Sequence, residues 1–162
     1  MQLRALFSLL GQAVRYRPRA LAALGLSGAA LFAQGAAQPA ADVRATVTGL
    51  RSEKGLVQAC LTADATTFPD CEDDPLARSL TVRAHETVML DFGKVAPGRY
   101  AISLLHDENG NGRVDKALMI PKEGFGFSRD ARVVMGPPTF NAAAFEVKGS
   151  DVTQSIRMRY IL

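Results

Sequence analysis

Seven short segments in which apolar and polar residues alternate constrain this chain more than any other feature. Residues 43–50 alternate Val43, Ala45 and Val47 with Arg44, Thr46 and Thr48. Residues 55–62 carry Val57, Ala59 and Leu61 on one face, and residues 79–84 carry Leu80, Val82 and Ala84. The same period places Val88, Leu90 and Phe92 together in 87–92, and Tyr100, Ile102 and Leu104 in 99–105. It returns in 141–147 with Ala143, Phe145 and Val147, and in 152–160 with Val152, Ile156, Met158 and Tyr160. A period of two is the spacing of a strand with one buried face. Turn chemistry separates most of these segments, as in Ser52-Glu53-Lys54-Gly55, Ala96-Pro97-Gly98 and Lys148-Gly149-Ser150-Asp151. No helical period competes. The expectation is an all-β chain, an antiparallel β-sandwich of about seven strands. Tyr100, just after the Pro97-Gly98 turn, stands either at a tyrosine corner or as an ordinary half-buried strand residue.

The amino-terminal forty residues have a different character. Arg4, Arg15, Arg17 and Arg19 precede an uncharged apolar run from Ala20 to Ala33, and small residues follow at Gly35, Ala36 and Ala37. This order is that of an export signal cleaved between about Ala33 and Ala41. At 14 residues the run is short for a membrane span, which needs about 20. An uncleaved anchor is the alternative. The arginines are not paired and no cysteine is near, so neither a twin-arginine signal nor a lipoprotein is indicated. Residues 1–41 read as signal and leader, and 42–162 as one domain of a periplasmic or extracellular protein. Membrane contact is expected only through the signal. Taking those four arginines from the 19 basic residues leaves 15 against 16 acidic ones, a formal charge of −1. The basic balance of the whole chain therefore belongs to the leader and gives no case for nucleic-acid binding.

The densest run of oxygen-bearing side chains is His106-Asp107-Glu108-Asn109-Gly110-Asn111-Gly112-Arg113-Val114-Asp115. Asp107, Asn109, Asn111 and Asp115 stand at relative positions 1, 3, 5 and 9, with Gly112 at 6. This is the first half of a calcium-loop pattern: hard oxygens on alternate residues, and a glycine that turns the backbone so that the Arg113 carbonyl faces the ion. Position 12 is Leu118, where an EF-hand has a bidentate glutamate, so this is not an EF-hand. Water, a carbonyl or Glu123 would complete the shell of a bound Ca2+. The other reading is a polar Asn-Gly turn with no ion.

Cys60 and Cys71 are the two cysteines. An even count in an exported chain makes a disulfide between them the expectation; a metal or redox pair is the alternative. The neighbouring acids Asp70, Glu72, Asp73 and Asp74 read as a solvated loop tip, with a second cation contact the other option. Residues 116–139 show no alternation and read as one long irregular loop. Phe125, Phe127 and Phe140 either pack beneath it as a satellite cluster or rim a ligand groove.

Several blocks taken together resemble a known family: Gly49-Leu50-Arg51 with Lys54-Gly55, the Pro97-Gly98-Arg99-Tyr100 turn, His106 to Gly112, Ile120-Pro121-Lys122-Glu123-Gly124-Phe125-Gly126-Phe127-Ser128, and Gly136-Pro137-Pro138. The chain from about Val43 onward is similar to the bacterial exported family called domain of unknown function 2141. The resemblance implies a secreted or periplasmic sandwich of immunoglobulin or prealbumin type, and it implies no activity.

Catalytic chemistry has few candidates. His85 and His106 are the only histidines. Ser103 and His106, three apart on a strand, point to opposite faces. Neither G-x-S-x-G nor H-E-x-x-H occurs. A transthyretin-like hydrolase would resemble Y-R-G-S at its end, whereas this chain ends Arg157-Met158-Arg159-Tyr160-Ile161-Leu162. Two classes of function follow: a non-catalytic exported module binding a protein, glycan or envelope component, or a small secreted hydrolase or metal-dependent enzyme using the same loop.

Overall fold

The structure, a computed structural model, describes residues 38–112, 116–117, 120–134 and 136–161. The expected export segment, Arg113 and Asp115 lie outside the described residues. Alternation gives strands where it was strongest: β1 Ala41–Thr48, β2 Leu56–Thr62, β3 Arg78–Arg83, β4 Val88–Val95 and β5 Gly98–Asp107. After them come two-residue β6 Lys116–Ala117 and β7 Ile120–Pro121, then β8 Gly124–Phe127, a four-residue α1 Phe140–Ala143, β9 Phe145–Val147 and β10 Val152–Arg157.

Eight of these strands build two sheets that face each other as a β-sandwich. One sheet runs β10-β1-β4. The other runs β3-β2-β5-β8, with β9 also paired to β5 beyond β8. Most pairings are antiparallel, and β1 with β10 is parallel, Val43 opposite Val152 and Val47 opposite Ile156. Between the sheets lie Val43, Ala45 and Val47 of β1, Val57 and Leu61 of β2, Leu90 of β4, Ile102 and Leu104 of β5, and Ile156. These are the apolar members of the alternation, and burying them supplies roughly 1.5–3 kcal/mol for each large side chain.

The central strand β5 is buried on both faces. Its outer side carries Ala101 under a second cluster with Phe127, Ala131 and Ala143, against which Phe68, Phe125 and Phe140 pack. Phe68 meets Phe127 edge-on at 5.9 Å and Phe140 at 6.0 Å. The phenylalanines thus form a satellite cluster, with Phe68 as an additional member. Phe68 is brought there by the 62–71 loop, which the Cys60–Cys71 disulfide closes (S–S 2.06 Å). Ser103 Oγ donates to the Pro69 carbonyl at 2.6 Å and pins the same loop from below. Asp74, last of the acidic run, accepts from Thr62 Oγ1 and the Leu76 N–H.

Two segments differ from the sequence reading. The 116–139 stretch is not wholly irregular, because β8 lies within it. Its pattern is Gly-Phe-Gly-Phe, so alternation survives only as an absence of side chains. A Cβ on Gly124 would stand 2.4 Å from Tyr160 Cε1, and one on Gly126 2.8 Å from Ile156 Cγ2. The glycines let β8 pass beneath the carboxy-terminal segment, which it meets through paired bonds between Phe125 and Arg159. Residues 141–147 give a strand only from Phe145; before it, α1 turns Ala143 into the second cluster. Tyr100 is a half-buried strand residue packed on the core. No helix among the described residues is long and apolar enough to cross a membrane.

Candidate functional site: the loop end of the sandwich

β5 runs out of the core at His106 and Asp107, and both are fully buried. They face opposite ways, as neighbours on a strand must. His106 closes the inner core. Its Nε2 is 2.8 Å from the Lys54 carbonyl and its Nδ1 is 2.6 Å from Tyr160 Oη. A carbonyl only accepts, so Nε2 carries the proton and donates. In the neutral ring Nδ1 then accepts from the Tyr160 hydroxyl. That hydroxyl in turn accepts from the Arg51 N–H at 3.1 Å. Burial, the leading cause, holds the Tyr160 phenol above its ordinary pKa. Ser103 lies on the other face of β5, bonded to Pro69, so the strand keeps it apart from His106 as expected. His85 is exposed in the β3–β4 turn.

Asp107 faces the outer side, and four donors reach its carboxylate. Oδ1 accepts from the N–H of Gly110 at 2.7 Å and of Asn111 at 3.2 Å. Oδ2 accepts from the N–H of Gly112 at 2.7 Å and from Gln58 Nε2 at 3.2 Å. The loop is wound around this one side chain. Asn109 Oδ1 adds a bond from the Asn111 N–H at 3.0 Å. Asp107, expected as a loop ligand, is the last residue of β5, and its carboxylate gathers the loop's N–H groups. Asn109 and Asn111 are exposed at the tip.

Glu108 ties the same loop to the β1–β2 connection. Arg51 Nε donates to Glu108 Oε2 at 2.9 Å, and Ser52 Oγ donates to Oε1 at 2.6 Å. Arg51 also donates to the Lys122 carbonyl at 2.9 Å, and its guanidinium lies 4.5 Å from the centre of the Tyr160 ring. The Arg51 hydrogen bond, with smaller help from Ser52, holds the Glu108 carboxyl below its ordinary pKa. The same bond raises that of Arg51. Gly55 completes the junction. At φ +72° its Hα sits where a Cβ would lie 1.9 Å from the Asp107 carbonyl oxygen.

Of the expected ion ligands, Asp107, Asn109 and Asn111 are thus on one loop. Glu123 is buried at this end of the molecule, where its charge acts on Arg51. Among the described residues no three His, Cys, Asp or Glu side chains converge on a common point. Arg51, Ser52 and Tyr160 are the members that sequence reasoning missed. Arg51 and Tyr160 are 109 residues apart, and nothing local in either stretch signals the contact.

Comparison with curated proteins and with solved structures returned no match. A family model does match, over residues 45–155, from the third core residue of β1 to the middle of β10. The match takes in most of both sheets and the loop end except Tyr160, and the chain accordingly belongs to the bacterial family described as "Uncharacterized protein conserved in bacteria (DUF2141)".

Proposed function

We propose that this protein is an exported, non-catalytic binding module that works in the periplasm or outside the cell, and that its 107–115 loop takes a divalent cation of calcium type. The observation that carries the cation reading is the winding of the loop around Asp107, with the N–H groups of Gly110, Asn111 and Gly112 all turned onto one carboxylate. A carboxylate offers about four lone-pair positions, and four donors already use them. The ion would share Asp107 with these donors and rest on it, the amide oxygens of Asn109 and Asn111, the Arg113 carbonyl and Asp115, with Glu123 or water completing the shell. Asp107 would contribute its negative charge and the shape of the loop. With so few anionic ligands, affinity belongs in the range of extracellular modules, about 10⁻⁴ to 10⁻³ M. The partner is a protein, glycan or envelope component. The disulfide and the export-type amino terminus support the compartment.

Calorimetric titration of the purified protein with calcium, after chelator treatment, tests the ion. Thermal unfolding should show a gain of about 2.7 kcal/mol at a hundredfold excess over Kd. Asp115→Asn should abolish both the heat and the gain while leaving the chelated protein as stable as before. Equal melting with calcium and with chelator, and no binding heat, would reduce the loop to an Asn-Gly turn.

A further inference from the structure

At the opposite end of β5, nine residues and about 30 Å from Asp107, a cleft of about 540 Å³ opens between β9 and β10. Arg99, Arg129, Gln154, Glu146 and the backbone of Ala144 and Phe145 line it. Arg99 and Glu146 are direct cross-strand partners. Glu146 is also ion-paired to Lys148, so its charge is already met on two sides. Gln154 gives its oxygen to the Arg129 N–H at 3.1 Å, and the remaining polar group of that amide is a donor. The Ala144 carbonyl is taken by Arg129 Nη1 at 3.3 Å, which leaves four of five guanidinium N–H groups. What the cleft still offers is therefore mainly donors, and its charged lining is two guanidinium groups beside one carboxylate, Glu146, which Lys148 pairs.

The backbone beneath Arg129 gives a second, independent observation. Arg129 and Asp130 are consecutive non-glycine residues in the left-handed region, at φ 58° and 53°. Each costs on the order of 1–3 kcal/mol and persists only where its surroundings overdetermine it. Here Asp130 is held from the far side, accepting from the Arg157 N–H and from the Arg159 guanidinium. The turn spends stability to set Arg129 at the mouth of the cleft, where glycine or asparagine would have been the easier residue.

We infer that the Arg99–Arg129–Gln154 cleft is a binding site for an oxyanion, a carboxylate or phosphate group borne by a ligand. Planar guanidinium groups accept such groups as a fork, with two parallel hydrogen bonds each.

The test is NMR titration of the full chain at fixed ionic strength. Inorganic phosphate is used in one arm, citrate and acetate in another, and chloride as the control. The expected result is saturable shifts at the Arg99 and Arg129 Nε–H and the Gln154 side-chain amide. Saturation by phosphate alone, or by the carboxylates alone, names the source. Arg99→Gln and Arg129→Asn should each weaken binding about tenfold, the loss of one charge-assisted contact. Arg129→Asn should at the same time melt close to the parent, since the easier left-handed conformation of asparagine offsets the lost bond to the Ala144 carbonyl. Linear shifts no different from chloride in both arms would overturn the proposal. So would undiminished binding in the double variant. Arg129→Asn melting several degrees lower with its binding intact would do so too, because Arg129 would then serve only the turn.

Discussion

Asp107→Asn conserves shape and removes one charge, so it isolates what the carboxylate does for the loop. All four of its partners are donors: three backbone N–H groups and the Gln58 amide. Either orientation of the new amide points its NH₂ at two of them. Two charge-assisted bonds are lost, each worth about 1.5–3 kcal/mol, and the other two fall to neutral strength. Water recovers part of the loss, because Gly110, Asn111 and Gly112 lie at an exposed tip. The side chain itself is fully buried, and its NH₂ must face donors without solvent. The net cost should be about 2–4 kcal/mol. Urea unfolding in chelator measures it free of any ion, read as a shift in midpoint with the slope unchanged. A variant within 0.5 kcal/mol of the parent would refute the reasoning, since the loop would then be folded by something other than this carboxylate.

Three further outcomes are expected. Reducing Cys60–Cys71 should cost about 3 kcal/mol in the loop-entropy model, and near-ultraviolet dichroism should show the Phe68 cluster loosening with it. Gly55→Ala should cost at least about 2 kcal/mol more than Gly110→Ala: both glycines have φ near +70°, but a Cβ at Gly55 meets the Asp107 carbonyl and one at Gly110 meets nothing within 4 Å; equal losses in paired unfolding curves would mean that the close approach carries no weight. Glu108 and Asp130 both titrate below their ordinary values: Glu108 through Arg51, and Asp130 because burial, which pushes it up, is outweighed by the bonds from Arg159 and the Arg157 N–H together. The unfolded chain then binds more protons, so stability rises with pH, is complete above the usual carboxylate range near 4, and is lost as pH falls through the lowered values. Melting followed from pH 7 to pH 2 should show that loss, and Glu108→Gln should flatten it.

The sandwich was legible because its core strands obey a local rule. Val43, Val57, Leu90, Ile102 and Ile156 are each one of a period-two set, and each is buried between the sheets. β8 escaped because Gly124 and Gly126 leave no side chain to count, and the reason for them, Tyr160 and Ile156, lies far along the chain. The helical turn before β9 escaped because Asn141, Ala142 and Ala143 fit either state, and Ala143 is assigned by its cluster alone. At the loop end, Asp107, Asn109 and Asn111, picked out by spacing, share one hydrogen-bonded loop. Spacing could not show that three backbone N–H groups and the Gln58 amide turn onto Asp107, because that depends on how the loop folds back. Arg51, Ser52 and Tyr160 join the unit only through tertiary contacts.

The parallel pairing of β1 with β10 has a consequence for the order of assembly. A chain released amino end first presents β1 early, and β4 can zip against it across the 47 residues from Arg44 to Asp91. Its other edge must wait for a partner 109 residues downstream, where Asp42 and Asp151 join. Such distant closure is slow, and until it happens an open strand edge is available to any other chain. The last strand acts as a clasp. The three-stranded sheet shuts only when residues 152–157 arrive, so it stays unfinished, and open to a chaperone or a protease, until that segment has been made.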